Sequence, residues 1–278
     1  MLTLTRKVTF SAGHVFRGDG LSQHQLEENF GIAALPSGHG HNYVLELQVR
    51  GVVDSVDGMV VNIKDMDLAL RDLIATIDHQ LINLAMPEFE HAVPTTERFA
   101  QSIWNRLPKR IGSAECLGLR LEEQPGMSVE VYGGNPAMID LTCSTEFAAS
   151  HRLHSDKLST AENERIYGKC NNPNGHGHNY IVEITVRGEP DPRTGTVINL
   201  SKLESLLEAE IEARFDHKHL NLDTDYFKEQ VASAENIAVV IWNLLKQKIP
   251  SCREGGEVAL HRVRLIETAR SWFDYYGK

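Results

Sequence analysis

The sequence predicts an α+β protein made of two tandem β-β-α-α-β-β units, each an antiparallel sheet with helices on one face. Three observations carry this expectation. First, landmarks recur in one order at a near-constant offset. GHGHNY stands at residues 38–43 and again at 175–180, 137 positions later. TFSAGH ends at His14 and EFAASH at His151, the same offset. IDHQLINL and FDHKHLNL differ by 138, TTERFAQSIWNRL resembles SAENIAVVIWNLL, and Glu123 aligns with Glu267 at 144. Second, HNYVLELQVRG and HNYIVEITVRG alternate apolar and polar residues with the period of a strand. Third, helical periodicity follows an asparagine-containing turn in both copies, at 63–77 and 200–215.

Each element can be placed in turn. A first strand ends in SAGH or AASH, and a loop longer than most follows. The alternating strand comes next, then the first helix, for which Ser201 with Glu204 is a capping-box candidate. A second helix contains the IWN segment, and two strands close the unit. The turn-rich Gly133, Gly134, Asn135 and Pro136 divide the chain into units 1–136 and 137–278. Edge strands left open by such sheets favour association.

Composition excludes several function classes. The chain has 278 residues, 41% of them hydrophobic, and a formal net charge of −10. The apolar fraction supports real cores. The acidity argues against nucleic acid as a partner, which selects a basic face. No apolar run reaches membrane-spanning length and no signal peptide is recognisable, so a cytoplasmic protein with no membrane partner is expected. The four cysteines form no CxxC pair, and Cys116, Cys143 and Cys252 read as structural or incidental.

The thirteen histidines are more informative. His176 and His178 sit at i and i+2 of a strand and share a face. His151 would end the neighbouring strand. Three neutral imidazoles leave a tetrahedral Zn²⁺ one open position, the catalytic arrangement. A lone HxH is more often a surface feature, but here it recurs with an upstream histidine as His14, His39 and His41. That makes a second metal site possible in the first copy. His24, His91, His154, His219 and His261 read as solvated or supporting residues.

Cys170 lies in the polar loop GKCNNPNGHGH, six residues before His176. The bland reading is a buried thiol. Its polar setting near Lys169 and a metal suits a base or nucleophile. Asp216-His217, repeated as Asp78-His79, could form a carboxylate–imidazole pair, but adjacent residues on a regular strand point apart. Such a pair requires a turn. Glu267, within the largely apolar VRLIET, needs a partner: either an arginine or the multi-donor edge of a ligand.

These residues carry a resemblance. The second copy resembles the 6-pyruvoyl tetrahydropterin synthase family over nearly its whole length, through FAASHRLHSDKLSTAENERIYGKCNNPNGHGHNYIVEITVRG, GTVINL, FDHKHLNLD, SAENIAVVIWNLL and the terminal ET. Five residues between Cys and HGH match the pyruvoyl-forming enzymes. The related 6-carboxytetrahydropterin synthases of queuosine biosynthesis usually have three. The resemblance implies a tunnelling fold whose units form barrels by association, with 7,8-dihydroneopterin triphosphate as substrate. It implies zinc ligands His151, His176 and His178, general base Cys170, proton relay Asp216 and His217, and pterin anchor Glu267 with Thr268 beside it. Family sites lie between units, so a homo-oligomer is expected: a trimer of tandem chains.

The first copy keeps His14, His39, His41, Asp78, His79 and Glu123, but Ala33 stands where Cys170 would be. Lys169, Lys218 and Arg270 also lack cationic counterparts, being replaced by Ile32, Gln80 and a position near Gly126. The first repeat is therefore expected to be catalytically degenerate. The competing expectations are a 6-carboxy product with loss of acetaldehyde, a non-catalytic pterin- or metal-binding protein, and a zinc hydrolase.

Overall fold

The computed structural model describes residues 1–278 and is α+β throughout. The first repeat contains β1 (Leu2–His14), α1 (Gln23–Phe30), β2 (His39–Gly51), α2 (Ile63–Ile74), β3 (Gln80–Leu81), α3 (Thr96–Arg106), β4 (Arg110–Ile111), β5 (Ala114–Gln124) and β6 (Met127–Tyr132). The second contains β7 (Asn135–His151), α4 (Thr160–Tyr167), β8 (His176–Gly188), α5 (Leu200–Leu207), β9 (Lys218–His219), α6 (Ala234–Leu245), β10 (Val258–Thr268) and β11 (Ser271–Tyr275). Strand order is β3-β1-β2-β5-β6 in the first repeat and β9-β7-β8-β10-β11 in the second. No helix is long and apolar enough to cross a membrane.

The chain forms two compact units. One holds residues 1–142 with 187–201 and 253–258; the other holds 143–186, 202–252 and 259–278. Specific bonds explain why 187–201 belongs with the first. Thr95 Oγ1 donates to Gly195 O at 2.7 Å, and Val197 N donates to Glu97 Oε1 at 2.9 Å.

Alternation decides which face of each sheet is covered. Along β1 the later residues Phe10, Ala12 and His14 are buried while their neighbours are less so. Phe10 stacks on Tyr43 at 5.2 Å, and Phe99 of α3 closes on both edge-on. The second unit repeats the motif with Phe147 stacked on Tyr180 at 5.0 Å and Phe215 beside Phe147. Offset and edge-to-face ring geometries suit the aromatic quadrupole. Thr95 and Ser233 cap α3 and α6.

Two features depart from the sequence expectation. The long loop after the first strand holds a short helix in each repeat. Both helices open with a capping box, Ser22 with Gln25 and Ser159 with Glu162. Ser201 is not an N-cap: α5 already begins at Leu200. That helix continues through a π-helical turn, Glu208–Glu212, to Phe215. The turn accounts for a discrepancy in the repeat spacing. Asn62 and Asn199 differ by 137 and Asp78 and Asp216 by 138, so one residue is inserted between them. A single π turn absorbs one extra residue without ending the helix.

Candidate metal centre and active site

The register of the first two strands builds the histidine cluster. In the first repeat β1 and β2 pair antiparallel from Leu2 opposite Gly51 to His14 opposite His39. The strands thus end with two histidines side by side, and His41 lies two residues along the same face. His14 Nε2 is 2.9 Å from His39 Nε2. In the second repeat His151 Nε2 is 3.2 Å from His176 Nε2, and His178 joins them with ring centroids 5.3 and 5.1 Å away. In each triad one ligand atom per histidine lies within 4.8 Å of the others.

These clusters have the donor chemistry of a metal site. His151 Nδ1 lies 2.7 Å from Ala232 O. Donation to that carbonyl puts the proton on Nδ1 and turns the Nε2 lone pair to the cluster, the usual support of a metal-bound histidine. Burial, foremost, pulls the pKa of His151 down to about 4 and that of His14 down to about 3, so both are neutral and ready to coordinate. His178 Nε2 and His41 Nε2 are buried without a hydrogen-bond partner. Each triad thus carries an orphaned nitrogen, which is costly unless something binds it.

Cys170 sits in the turn Gly168–Asn171 after α4. Leu153 N donates to Cys170 O at 2.9 Å, tying that turn to the chain just beyond His151. The thiol and Glu267 both raise the pKa of the buried Tyr180 phenol, after the larger effect of burial. Tyr180 OH is itself 3.4 Å from both ring nitrogens of His151. Glu267 Oε1 is 3.7 Å from His178 Nε2. Thiol, triad, phenol and carboxylate therefore share one end of the second unit's sheet. Thr268 is exposed and bonds Ser271 Oγ at 2.8 Å.

Asp216 and His217 do pair, at 2.8 Å from Oδ2 to Nδ1. The required turn is a left-handed residue: His217 has φ 55° and His79 has φ 57°. Such backbone is strained for a non-glycine residue. It is held by His217 N donating to Ala148 O at 2.7 Å, and by Ala148 N donating to Asp216 Oδ1 at 2.8 Å. The Ala148 amide, foremost, and then His217 lower the Asp216 pKa. No hydrogen bond or ring contact joins this pair to the histidine triad. His217 lies beside the edge strand β9 and lines an open depression with Ser150, Asn179, Lys218 and the triad residue His178.

The first repeat differs in what surrounds its triad. Phe16 packs on His14 at 4.7 Å and on Phe30 at 4.5 Å, and Leu26, Ala34 and Val93 complete a buried apolar cluster. In the second repeat the positions of Leu26, Phe30 and Ala34 are Asn163, Tyr167 and Asn171. Glu123 is buried, lies 3.4 Å from His41 and accepts a hydrogen bond from Thr96. Asp78 pairs with the exposed His79 at 2.9 Å.

Sequence reasoning missed two contributors. Tyr180 and Tyr43 directly follow each HGHN and stand behind the triads. Asn221 and Asn83 clamp the residue after the first histidine: Asn221 accepts from Arg152 N at 2.8 Å and returns a bond to Arg152 O at 3.1 Å. Asn83 does the same to Val15. Their recurrence within LNL and INL was the available signal.

The chain is similar to known proteins over both repeats. A family model described as 6-pyruvoyl tetrahydropterin synthase matches the chain twice, over residues 3–134 and 140–278. The 6-pyruvoyl tetrahydrobiopterin synthase of Homo sapiens is 43% identical over 146 residues, 52% of this chain and 97% of that protein. A 6-carboxy-5,6,7,8-tetrahydropterin synthase of Rickettsia typhi is 28% identical over 127 residues, 40% of this chain and 83% of that protein. The structure of the Caenorhabditis elegans 6-pyruvoyl tetrahydropterin synthase superposes with a TM-score of 0.46 at 39% identity, covering 51% of this chain and 96% of that one.

Proposed function

Because the chain belongs, through both of its repeats, to the 6-pyruvoyl tetrahydropterin synthase family, we propose that it is a pterin-forming lyase whose reaction runs in residues 137–278. The substrate in this reading is 7,8-dihydroneopterin triphosphate and the product 6-pyruvoyl-tetrahydropterin, with loss of triphosphate. The observation that carries it is the gathering of Cys170, the triad His151, His176 and His178, and Glu267 at one sheet end.

The donor set fits Zn²⁺: three imidazoles, one locked by a backbone carbonyl, the donor count that leaves a tetrahedral ion one open position. When bound, the ion supplies Lewis-acid polarisation of the substrate's side-chain hydroxyls. Glu267 grips the guanidine-like edge of the pterin ring and fixes its position. Cys170 as thiolate takes a proton from the side-chain carbon. Asp216 orients His217, which carries protons as the double bond migrates. The ring gains the two hydrogens that the side chain loses, so no external redox cofactor is required, and triphosphate departs by elimination. Since Asp216 and His217 sit at a sheet edge, a neighbouring unit would bring its own such pair to a triad. Association of three tandem chains into a homo-oligomer follows from this reading, with barrels closed between units.

The first repeat would hold a metal at His14, His39 and His41 without performing this chemistry. Ala33 offers no base, and the apolar cluster sets Phe16 against His14 and His39.

A 6-carboxytetrahydropterin synthase is the second reading, favoured by the 28% identity to the Rickettsia typhi protein. The five residues between Cys170 and His176 favour the pyruvoyl product. Incubation with 7,8-dihydroneopterin triphosphate followed by mass analysis separates them. A pterin retaining its three-carbon side chain supports the first reading; released acetaldehyde overturns it in favour of the second.

A further inference from the structure

A second cavity of the catalytic repeat is not used by the chemistry above. It is a cleft of about 860 Å³ whose lining includes Arg152, His154, Lys157, His219, Asn221 and Lys228. We infer that this cleft is the seat of a polyanionic tail, so that the triphosphate of the proposed substrate lies against Arg152, Lys157 and Lys228. This rests on the functional reading above and specifies where the leaving group is held.

Position is the first argument. Across the sheet of the second unit the order is β10, β8, β7, β9. Glu267 is on β10, His176 and His178 on β8, His151 ends β7, and His219 is on β9. The cleft begins at His219 and at Arg152, the residue after His151. A ligand with one end at Glu267 and its middle at the triad therefore extends into this cleft.

Preorganisation is the second. Arg152 is clamped by Asn221 through its backbone, and its Nε lies 3.1 Å from Asn171 Oδ1, beside Cys170. Its Nη2 contacts His154 Nδ1 at 3.2 Å, and its Nη1 has no partner in the chain. A planar guanidinium held this way offers donors to phosphate oxygens at little ordering cost. Lys157 forms no ion pair, while Lys228 pairs with Asp225 at 2.5 Å in a screened, exposed setting. Asp156 and Glu229 also line the cleft, so the positive excess is local rather than overwhelming.

The duplication supplies the third. At the positions of Arg152, Lys157 and Lys228 the first repeat has Val15, Gly20 and Glu90. All three cations are absent from the repeat that lacks the thiol. Lys169, Lys218 and Arg270, which also lack cationic counterparts in the first repeat, do not line the cleft.

The test uses the whole chain, metal-loaded, and the variant Lys157→Gln/Lys228→Gln. Calorimetry with inorganic triphosphate should show about tenfold weaker binding in the variant. KM for dihydroneopterin triphosphate should rise by a similar factor with kcat within about threefold, and binding of dihydroneopterin without phosphates should not change. Equal triphosphate affinity in the two proteins, or a fall in kcat alone, would overturn the inference. If the wild-type chain does not turn over the substrate, the functional reading fails, yet the calorimetry still decides the cleft: weakened binding upholds it, unchanged or undetectable binding rejects it. Arg152→Lys provides a second variant that keeps the charge and removes the fork, and should weaken triphosphate binding by about threefold.

Discussion

The Thr96 hydroxyl donates a hydrogen bond to Glu123 Oε2, at a position where the second repeat carries Ala234. One contact changes what a carboxylate can do. Glu123 is engaged and buried, and burial raises its pKa. Glu267 stands only beside His178, at 3.7 Å, and keeps its oxygens for an incoming donor edge. The same fold thus presents a closed carboxylate in one repeat and an open one in the other.

Glu267→Gln should therefore lower kcat/KM by about 10²-fold, because the amide cannot accept two donors from the ring edge. Glu123→Gln should leave turnover within about twofold of wild type. Steady-state kinetics on dihydroneopterin triphosphate check both, and equal effects would show that the repeats share the work.

Metal content should be two ions per chain. His151→Ala should lose one ion and all turnover. His14→Ala should lose the other and lower the unfolding temperature while turnover persists, since Phe16 of the buried apolar cluster packs against His14. Elemental analysis with thermal unfolding reads each of these.

Glu97 gives a pH dependence of opposite sign to an ordinary salt-bridged acid. Burial, as the largest cause, raises its pKa from 4.5 to about 7. The folded state therefore holds this proton more tightly than the unfolded chain. That stabilisation is complete below pH 4.5 and lost as pH rises through about 7. Glu97→Gln keeps an oxygen for Val197 N and removes the titration. At pH 8 the variant should be more stable by about 3 kcal/mol, and at pH 4 equal to wild type, in denaturant titrations. Equal stability at pH 8 would place Glu97 in a wetter environment than the structure shows.

The assembly should sediment as three chains. The strands β3, β9 and β11 end their sheets, and unpaired edges favour association. A mass of one chain would contradict both the trimer and a site completed by a neighbouring Asp216–His217 pair.

Much of this was legible in the sequence. Strand periodicity fixed the shared face of His176 and His178, and the repeat offset located the first triad. The change of offset from 137 to 138 even marked the π turn at Glu208–Glu212, although only the structure shows how the residue is absorbed. The short helices at Ser22 and Ser159 were hidden because their capping boxes lead into stretches too polar to read as amphipathic. The turn required by the Asp216–His217 pair was legible, but not its form, since positive φ is uncommon for any non-glycine residue. The cleft cations were missed because Arg152, Lys157 and Lys228 are scattered in sequence and meet only when the loop after β7 folds against the segment before α6.

The most direct test of the account is turnover of dihydroneopterin triphosphate by the intact two-repeat chain carrying Cys170→Ala. Loss of the general base should reduce the rate by about 10²–10⁴-fold while both metal ions remain bound. Residual activity near that of the wild type would contradict the account and show either that the first repeat is catalytic or that Cys170 is not the base.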